Sequence, residues 1–172
     1  MENTLPPEFR ILILTLSDRA YNGEYADLSG RRIEELASEF FRIINVECHI
    51  ERCLLPDDAG MLKDKLADAV PLSDIIFTTG GTGIGPRDIT VETVSPFLTK
   101  EIPGIMEYIR IKYGVEKPNA LLSRGVAGVA GKCLIYTLPG SLKAVEEYMT
   151  EITRTLRHTL EMLHGIDSHR KH

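Results

Sequence analysis

Residues 78–88 read Thr-Thr-Gly-Gly-Thr-Gly-Ile-Gly-Pro-Arg-Asp and follow the apolar run Ile75-Ile76-Phe77. Gly80, Gly81, Gly83 and Gly85 permit positive φ and close approach to a ligand, so successive N–H groups, that of Thr82 among them, can turn inward as an anion nest. A helix starting near Asp88 or Thr90 would add its positive end. No Gly-Lys-Ser/Thr closes the stretch, and Pro86 stands where the last glycine of a dinucleotide fingerprint would be. An anion held here is therefore held by another arrangement. A glycine-rich turn behind a strand can also be purely structural, so its neighbours must decide.

Residues of matching chemistry recur at the ends of the other apolar runs. Ser17-Asp18-Arg19 follows Leu16, Asp57 and Asp58 follow Leu55-Pro56, and Gly140-Ser141, with Lys143, follows Leu138-Pro139. Ser29 and the pair Ser123-Arg124 read the same way. An acid beside bound phosphates either holds Mg²⁺ or relays a proton. Arg87, next to Asp88, either forms an ordinary ion pair or neutralises phosphate charge. Asp57, Asp58 and Asp88 equally suit helix N-caps or first-turn acids, and Ser141 is first of all an N-cap. Lys143 in a first helical turn is disfavoured by the dipole, which points to an anionic partner.

Other chemistries are disfavoured. None of the five histidines falls in these loops, which argues against a serine–histidine hydrolase. Cys48, Cys53 and Cys133 form no CxxC pair and read as small buried hydrophobes in a reducing compartment. A net charge of −5 argues against nucleic acid. With neither a basic–apolar leader nor a run of about 18 apolar residues, the expected setting is cytoplasmic, away from membranes.

The 172 residues, 43% of them hydrophobic, suit one domain. Residues 9–17 are a nearly continuous apolar run, the pattern of a strand buried on both faces. Ile33, Leu36, Ala37 and Phe40 then recur at helical spacing behind a capping Asp27 or Ser29. A strand over 46–55 and a helix over 56–70 repeat the unit, and a short strand over 74–79 feeds the glycine loop. Two helices are expected over 88–100 and 103–114, then a hairpin over 120–138 turning at Gly131-Lys132. A helix over 141–164 closes the domain, with Met149 and Met162 on its apolar stripe. Such alternation implies an α/β fold, a mainly parallel sheet with helices on both faces and one antiparallel hairpin strand. Ligands of such sheets bind beyond the carboxyl ends of the strands, so the loops holding these residues should converge on one rim.

The ordered set LSDRA, D.SG, PDD, TTGGTGIGPRDITVETV, EIPG, LSR and LPGS.KAV resembles the molybdopterin adenylyltransferases, the MogA proteins and the G domains of gephyrin-like proteins, from about Arg10 to about His164. The resemblance implies a three-layer α/β/α molybdopterin-binding fold over 9–165 and a homotrimer; residues 1–8 are expected to be a short extension and 166–172 a disordered tail. The resemblance also implies transfer of AMP from ATP to the terminal phosphate of molybdopterin with Mg²⁺, releasing pyrophosphate, and a molybdenum insertase as downstream partner. By motif, Asp57 is matched to Mg²⁺ or nucleophile alignment, and Asp88 to orienting the pterin or the attacking phosphate. Gly80, Gly81, Thr82 and Gly83, with Ser17, Asp18 and Ser29, line the nucleotide and pterin pockets. Ser123, Arg124, Gly140, Ser141 and Lys143 complete the phosphate side, and Arg87 joins the binding set. The related MoaB branch shares GGTG and PRD, so a non-catalytic molybdopterin carrier is the alternative.

Overall fold

The computed structural model describes residues 4–166. The extended run becomes β1 (Glu8–Leu16), an interior strand of a six-stranded sheet of order β2-β1-β3-β6-β5-β4. β2 (Glu47–Leu55) and β3 (Ile75–Thr79) flank β1 in parallel, and β6 (Cys133–Leu138) continues in parallel beside β3. The expected antiparallel strand is β5 (Ala127–Ala130), joined to β6 through Gly131 at φ 64°. β4 (Lys100–Glu101) pairs antiparallel to β5 at the edge.

Alternation along β1 explains the three layers. Phe9, Ile11 and Ile13 enter a core shared with Ile33, Phe40, Met149, Ile152 and Leu156, whereas Leu12, Leu14 and Leu16 enter a second core with Leu62, Leu66 and Val94. α2 (Leu28–Ile43), α5 (Pro103–Gly114) and α6 (Leu142–Leu163) thus cover one face. α3 (Ala59–Ala69) and α4 (Thr90–Val94) cover the other. β2 and β3 leave β1 on opposite sides, so the connections diverge above the carboxyl ends of β1 and β3, where a crevice opens.

Several expectations need correction. The helix over 88–100 ends at Val94, and a 3-10 turn follows over Ser95–Phe97 with Pro96 inside it. Past Leu98 the chain is extended and is captured by β5: the Thr99 N–H donates to Val129 O at 2.7 Å and the Ile102 N–H to Ala127 O at 2.8 Å. Tertiary pairing overrides helix pattern there, and the missing side chain of Gly128 lets Lys100 O approach. The start of the expected hairpin, residues 120–122, belongs to a 3-10 turn over Pro118–Leu122, and its first strand is confined to Ala127–Ala130. A short helix, α1 (Asp18–Tyr21), interrupts the polar loop after β1. Met149 is buried in the core, but Met162 is 66% exposed and does not join it. β1 starts at Glu8, inside the expected 1–8 extension, and residues 167–172 of the expected tail lie outside the described residues.

Candidate active site

The glycine loop is built by where its carbonyls go. Gly80 O accepts from the Thr90 hydroxyl at 2.8 Å and Gly81 O from the Thr90 N–H at 3.1 Å. Thr82 O accepts from the Arg124 N–H at 2.9 Å and Gly83 O from Arg124 Nε at 2.7 Å. In a planar trans peptide the next residue's N–H points opposite the carbonyl. The N–H groups of Gly81, Thr82, Gly83 and Ile84 therefore face away from these anchors, and none has a protein acceptor among the described residues. That is the donor arrangement of an anion nest.

The four glycines do two different jobs. Only Gly80 (φ 97°) and Gly81 (φ 66°) have positive φ. Gly83 and Gly85 make room for Asp88, whose carboxylate would lie 2.8 and 3.0 Å from a Cβ at those positions. Asp88 accepts from the Gly85 N–H at 2.7 Å and so closes the loop on itself instead of capping a helix; the N-cap of α4 is Ile89, without a side-chain bond. With five residues, α4 is also too short to supply the expected positive helix end.

Asp57 and Asp18 fix each other across two loops. The Asp57 N–H donates to Asp18 Oδ1 at 2.9 Å, and the Asp18 N–H donates to Asp57 Oδ2 at 3.2 Å. Asp58, not Asp57, caps α3, accepting from the Met61 N–H at 2.8 Å. Arg87 reaches from the glycine loop to Asp18 Oδ2 at 3.3 Å. Burial is the main influence raising the Asp57 carboxyl above its ordinary range; the charges of Asp18 and Asp88 add to it, while the Asp18 N–H and Arg87 oppose it. These three acids, with Ser17, Arg19, Tyr25, Gly81 and Arg87, line an open cleft of about 310 Å³. The convergence expected of the strand-end loops is thus met, and the Ser17 N–H bond to Leu55 O and the Gly80 N–H bond to Leu138 O hold the rim together.

The remaining candidates lie around this cleft. Ser29 and Gly140 line an adjoining depression of about 210 Å³ that shares Ser17 and Tyr25 with it; a Cβ on Gly140 would meet the Gly80 Cα at 3.3 Å. Asp27, the N-cap of α2, sits there holding the Thr15 hydroxyl and the Gly30 N–H. Ser123, Ser141 and Lys143 line a third cavity of about 280 Å³ with Arg110, Lys117 and Tyr148. Ser141 caps α6, accepting from the Ala144 N–H, and Ser123 Oγ accepts from the Tyr148 hydroxyl at 2.9 Å. Arg124 lines none of the three: its guanidinium is spent on Gly83 O, Asp88 O and Glu92, whose carboxyl it holds below the usual range. Tyr25, Arg110 and Lys117 carried no signal in the sequence, because an aromatic in a polar loop and cations on a helix flank look like ordinary surface.

Among the described residues no group of three or more His, Cys, Asp or Glu side chains is placed to hold a metal ion by itself. The donors nevertheless suit Mg²⁺, which is commonly held by one or two carboxylates and completed by substrate phosphates. Asp57 Oδ1 accepts no hydrogen bond among the described residues, so one hard oxygen remains available beside the loop. No helix among the described residues is long and apolar enough to cross a membrane.

Residues 12–158 match the family described as a probable molybdopterin binding domain. The chain is 35% identical over 157 residues to a molybdopterin adenylyltransferase of Helicobacter pylori, covering 89% of this chain and 86% of that protein. It is also 35% identical over 153 residues to the molybdenum cofactor synthesis protein cinnamon of Drosophila melanogaster, covering 88% of this chain but only 25% of that longer protein. Among solved structures, the molybdopterin biosynthesis enzyme MoaB of Thermus thermophilus superposes with a TM-score of 0.81 at 38% identity, over 91% of this chain and 97% of that one.

Proposed function

Since the chain belongs to this molybdopterin-binding family, we propose that it acts in molybdenum cofactor biosynthesis by transferring AMP from ATP to the terminal phosphate of molybdopterin. A molybdopterin phosphate oxygen forms a bond to the α-phosphorus, the bond from that phosphorus to the bridging oxygen breaks, and pyrophosphate leaves. The observation that carries this reading is the run of four N–H groups, Gly81 to Ile84, without a protein acceptor among the described residues, whose first member, Gly81, lines the cleft with Asp57 and Asp88. Such a transfer needs positioned reactants and neutralised charge more than a protein nucleophile, in keeping with rim loops that contain no histidine.

In this scheme the loop N–H groups hold phosphate oxygens. Arg87, 74% exposed at the mouth of the cleft, exchanges Asp18 for phosphate charge. Asp88 keeps the loop closed while its second oxygen, unbonded to protein, orients the incoming phosphate. Mg²⁺, held by Asp57 and substrate oxygens, would supply further charge neutralisation when bound. The cavity of Ser123, Ser141 and Lys143, with the other cations there, suits the anionic end of the second substrate. The side chains of Tyr108 and Ile111 on α5 and of Val115 just past its end, exposed at spacings of three and four, are the surface a homotrimer would cover.

The test is pyrophosphate release from molybdopterin, ATP and Mg²⁺, with Asp57→Ala and Asp88→Ala alongside. Turnover by the wild type and a loss well beyond tenfold in both variants is expected; wild-type release no faster than a protein-free blank would remove the catalytic reading. A second reading, a molybdopterin carrier, rests on the GGTG and PRD motifs shared with the MoaB branch. That reading requires molybdopterin binding with no pyrophosphate release.

A further inference from the structure

We infer that Arg124 is a positioning residue that acts through the glycine loop, and that Glu92 is its anchor. Arg124 lies on the segment between the 3-10 turn at Pro118–Leu122 and β5, far from residues 80–88 in sequence. It nonetheless supplies two of the four donors that turn the loop carbonyls inward: its N–H takes Thr82 O at 2.9 Å and its Nε takes Gly83 O at 2.7 Å. Nη2 adds Asp88 O at 3.3 Å, so the same fork grips both ends of the loop. Glu92, on α4, receives both Nη1 and Nη2 and sets the plane of the guanidinium.

The physical consequence concerns polarity. Each carbonyl that Arg124 holds inward keeps the following N–H outward, so Thr82 O and Gly83 O set the directions of the Gly83 and Ile84 donors. Loss of the fork frees the Gly83 peptide to rotate, and a rotated peptide presents a carbonyl oxygen to the anion where a donor stood. Lysine cannot replace arginine here, because one ammonium on a flexible stem cannot span Gly83 O, Asp88 O and Glu92 in a single plane. Direct contact with a phosphate would use the same charge differently, and the two roles part in their response to Glu92. Removing a nearby negative charge strengthens anion binding on electrostatic grounds alone, whereas removing an anchor weakens it.

This inference rests on the loop's being an anion site and not on adenylyl transfer. The experiment is calorimetric titration of the full chain with inorganic pyrophosphate, for wild type, Glu92→Ala, Arg124→Lys and Arg124→Ala, with urea unfolding of each. Glu92 is exposed, so its alanine variant retains the fold even if Arg124→Ala does not. Weaker binding by Glu92→Ala is expected, together with a loss of roughly tenfold or more in Arg124→Lys, similar to that in Arg124→Ala and partly restored by added guanidinium. Tighter or unchanged binding in Glu92→Ala, or near-wild-type binding in Arg124→Lys, overturns the positioning role. Absence of wild-type binding overturns the anion-site reading itself, and this inference with it.

Discussion

Gly80→Ala tests the loop where the backbone leaves least room. At φ 97° an L-residue is strained by about 1–2 kcal/mol. The new Cβ would stand 2.3 Å from Leu16 O, a backbone atom at the end of β1 that cannot swing aside. The Gly80 N–H bond to Leu138 O at 3.0 Å pins the opposite side, so relief means moving a strand end. Overpacking of this kind adds about 1–3 kcal/mol. The sum, about 2–5 kcal/mol, lowers a urea midpoint by about 1–2 M at a typical slope. Gly85→Ala is the control: its Cβ meets only the Asp88 carboxylate, at 3.0 Å, in an exposed turn. That variant should stay within about 0.5 kcal/mol of wild type, yet lose pyrophosphate release because Asp88 is pushed off the Gly85 N–H. Parallel urea titrations read both. A wild-type midpoint for Gly80→Ala, or equal destabilisation of the two variants, would refute the assignment of strain to Gly80 and of carboxylate seating to Gly85.

Three further outcomes follow from the same geometry. Because burial raises the folded Asp57 carboxyl above its ordinary 3.8, the folded state binds the proton more tightly than the unfolded chain, and stability falls as pH rises from that value through the folded one; urea midpoints near pH 4 and near pH 7 should show Asp57→Asn gaining on wild type only at the higher pH. Glu151 is buried between α5 and α6 and accepts from Lys112, the Tyr113 hydroxyl at 3.1 Å and Arg154 at 3.0 Å, so Glu151→Ala should cost about 1–3 kcal/mol in thermal or urea unfolding, with a smaller loss for Glu151→Gln. Cys133 is fully buried and its thiol is pushed up to about 12, whereas Cys48 and Cys53 are half-buried on an edge strand; a thiol reagent should therefore titrate two cysteines in the native protein and the third only after denaturation.

Much of the architecture was legible because it depends on local chemistry. The nearly continuous apolar run at 9–17 and the short run at 75–77 read as strands covered on both faces, and the three-and-four spacing after Ser141 reads as one long amphipathic helix. The rim followed from the same alternation, since loops that succeed parallel strands must meet at one end of the sheet. Where a single residue's neighbours are distant, the reading lost its footing. The pattern over 88–100 is helical, but the backbone of Lys100–Glu101 is drawn into the sheet by β5, whose pairing lies almost thirty positions away.

The residue types and their order in the chain determined that four loops rich in glycine, hydroxyl and acid would gather at one end of the sheet, and the resemblance in those motifs pointed to a molybdopterin enzyme. Only the tertiary structure decided what each residue does within that gathering. Gly80 and Gly81 serve both conformation and close approach, to Leu16 O and the Thr90 hydroxyl, while Gly83 and Gly85 serve space alone, for the Asp88 carboxylate. Asp57 is locked by Asp18, and Arg124 faces the loop from behind instead of the cleft in front. Glycine, aspartate and arginine each have several uses, and the use is selected by which donors and acceptors the folded chain brings within about 3 Å, a quantity no local pattern encodes.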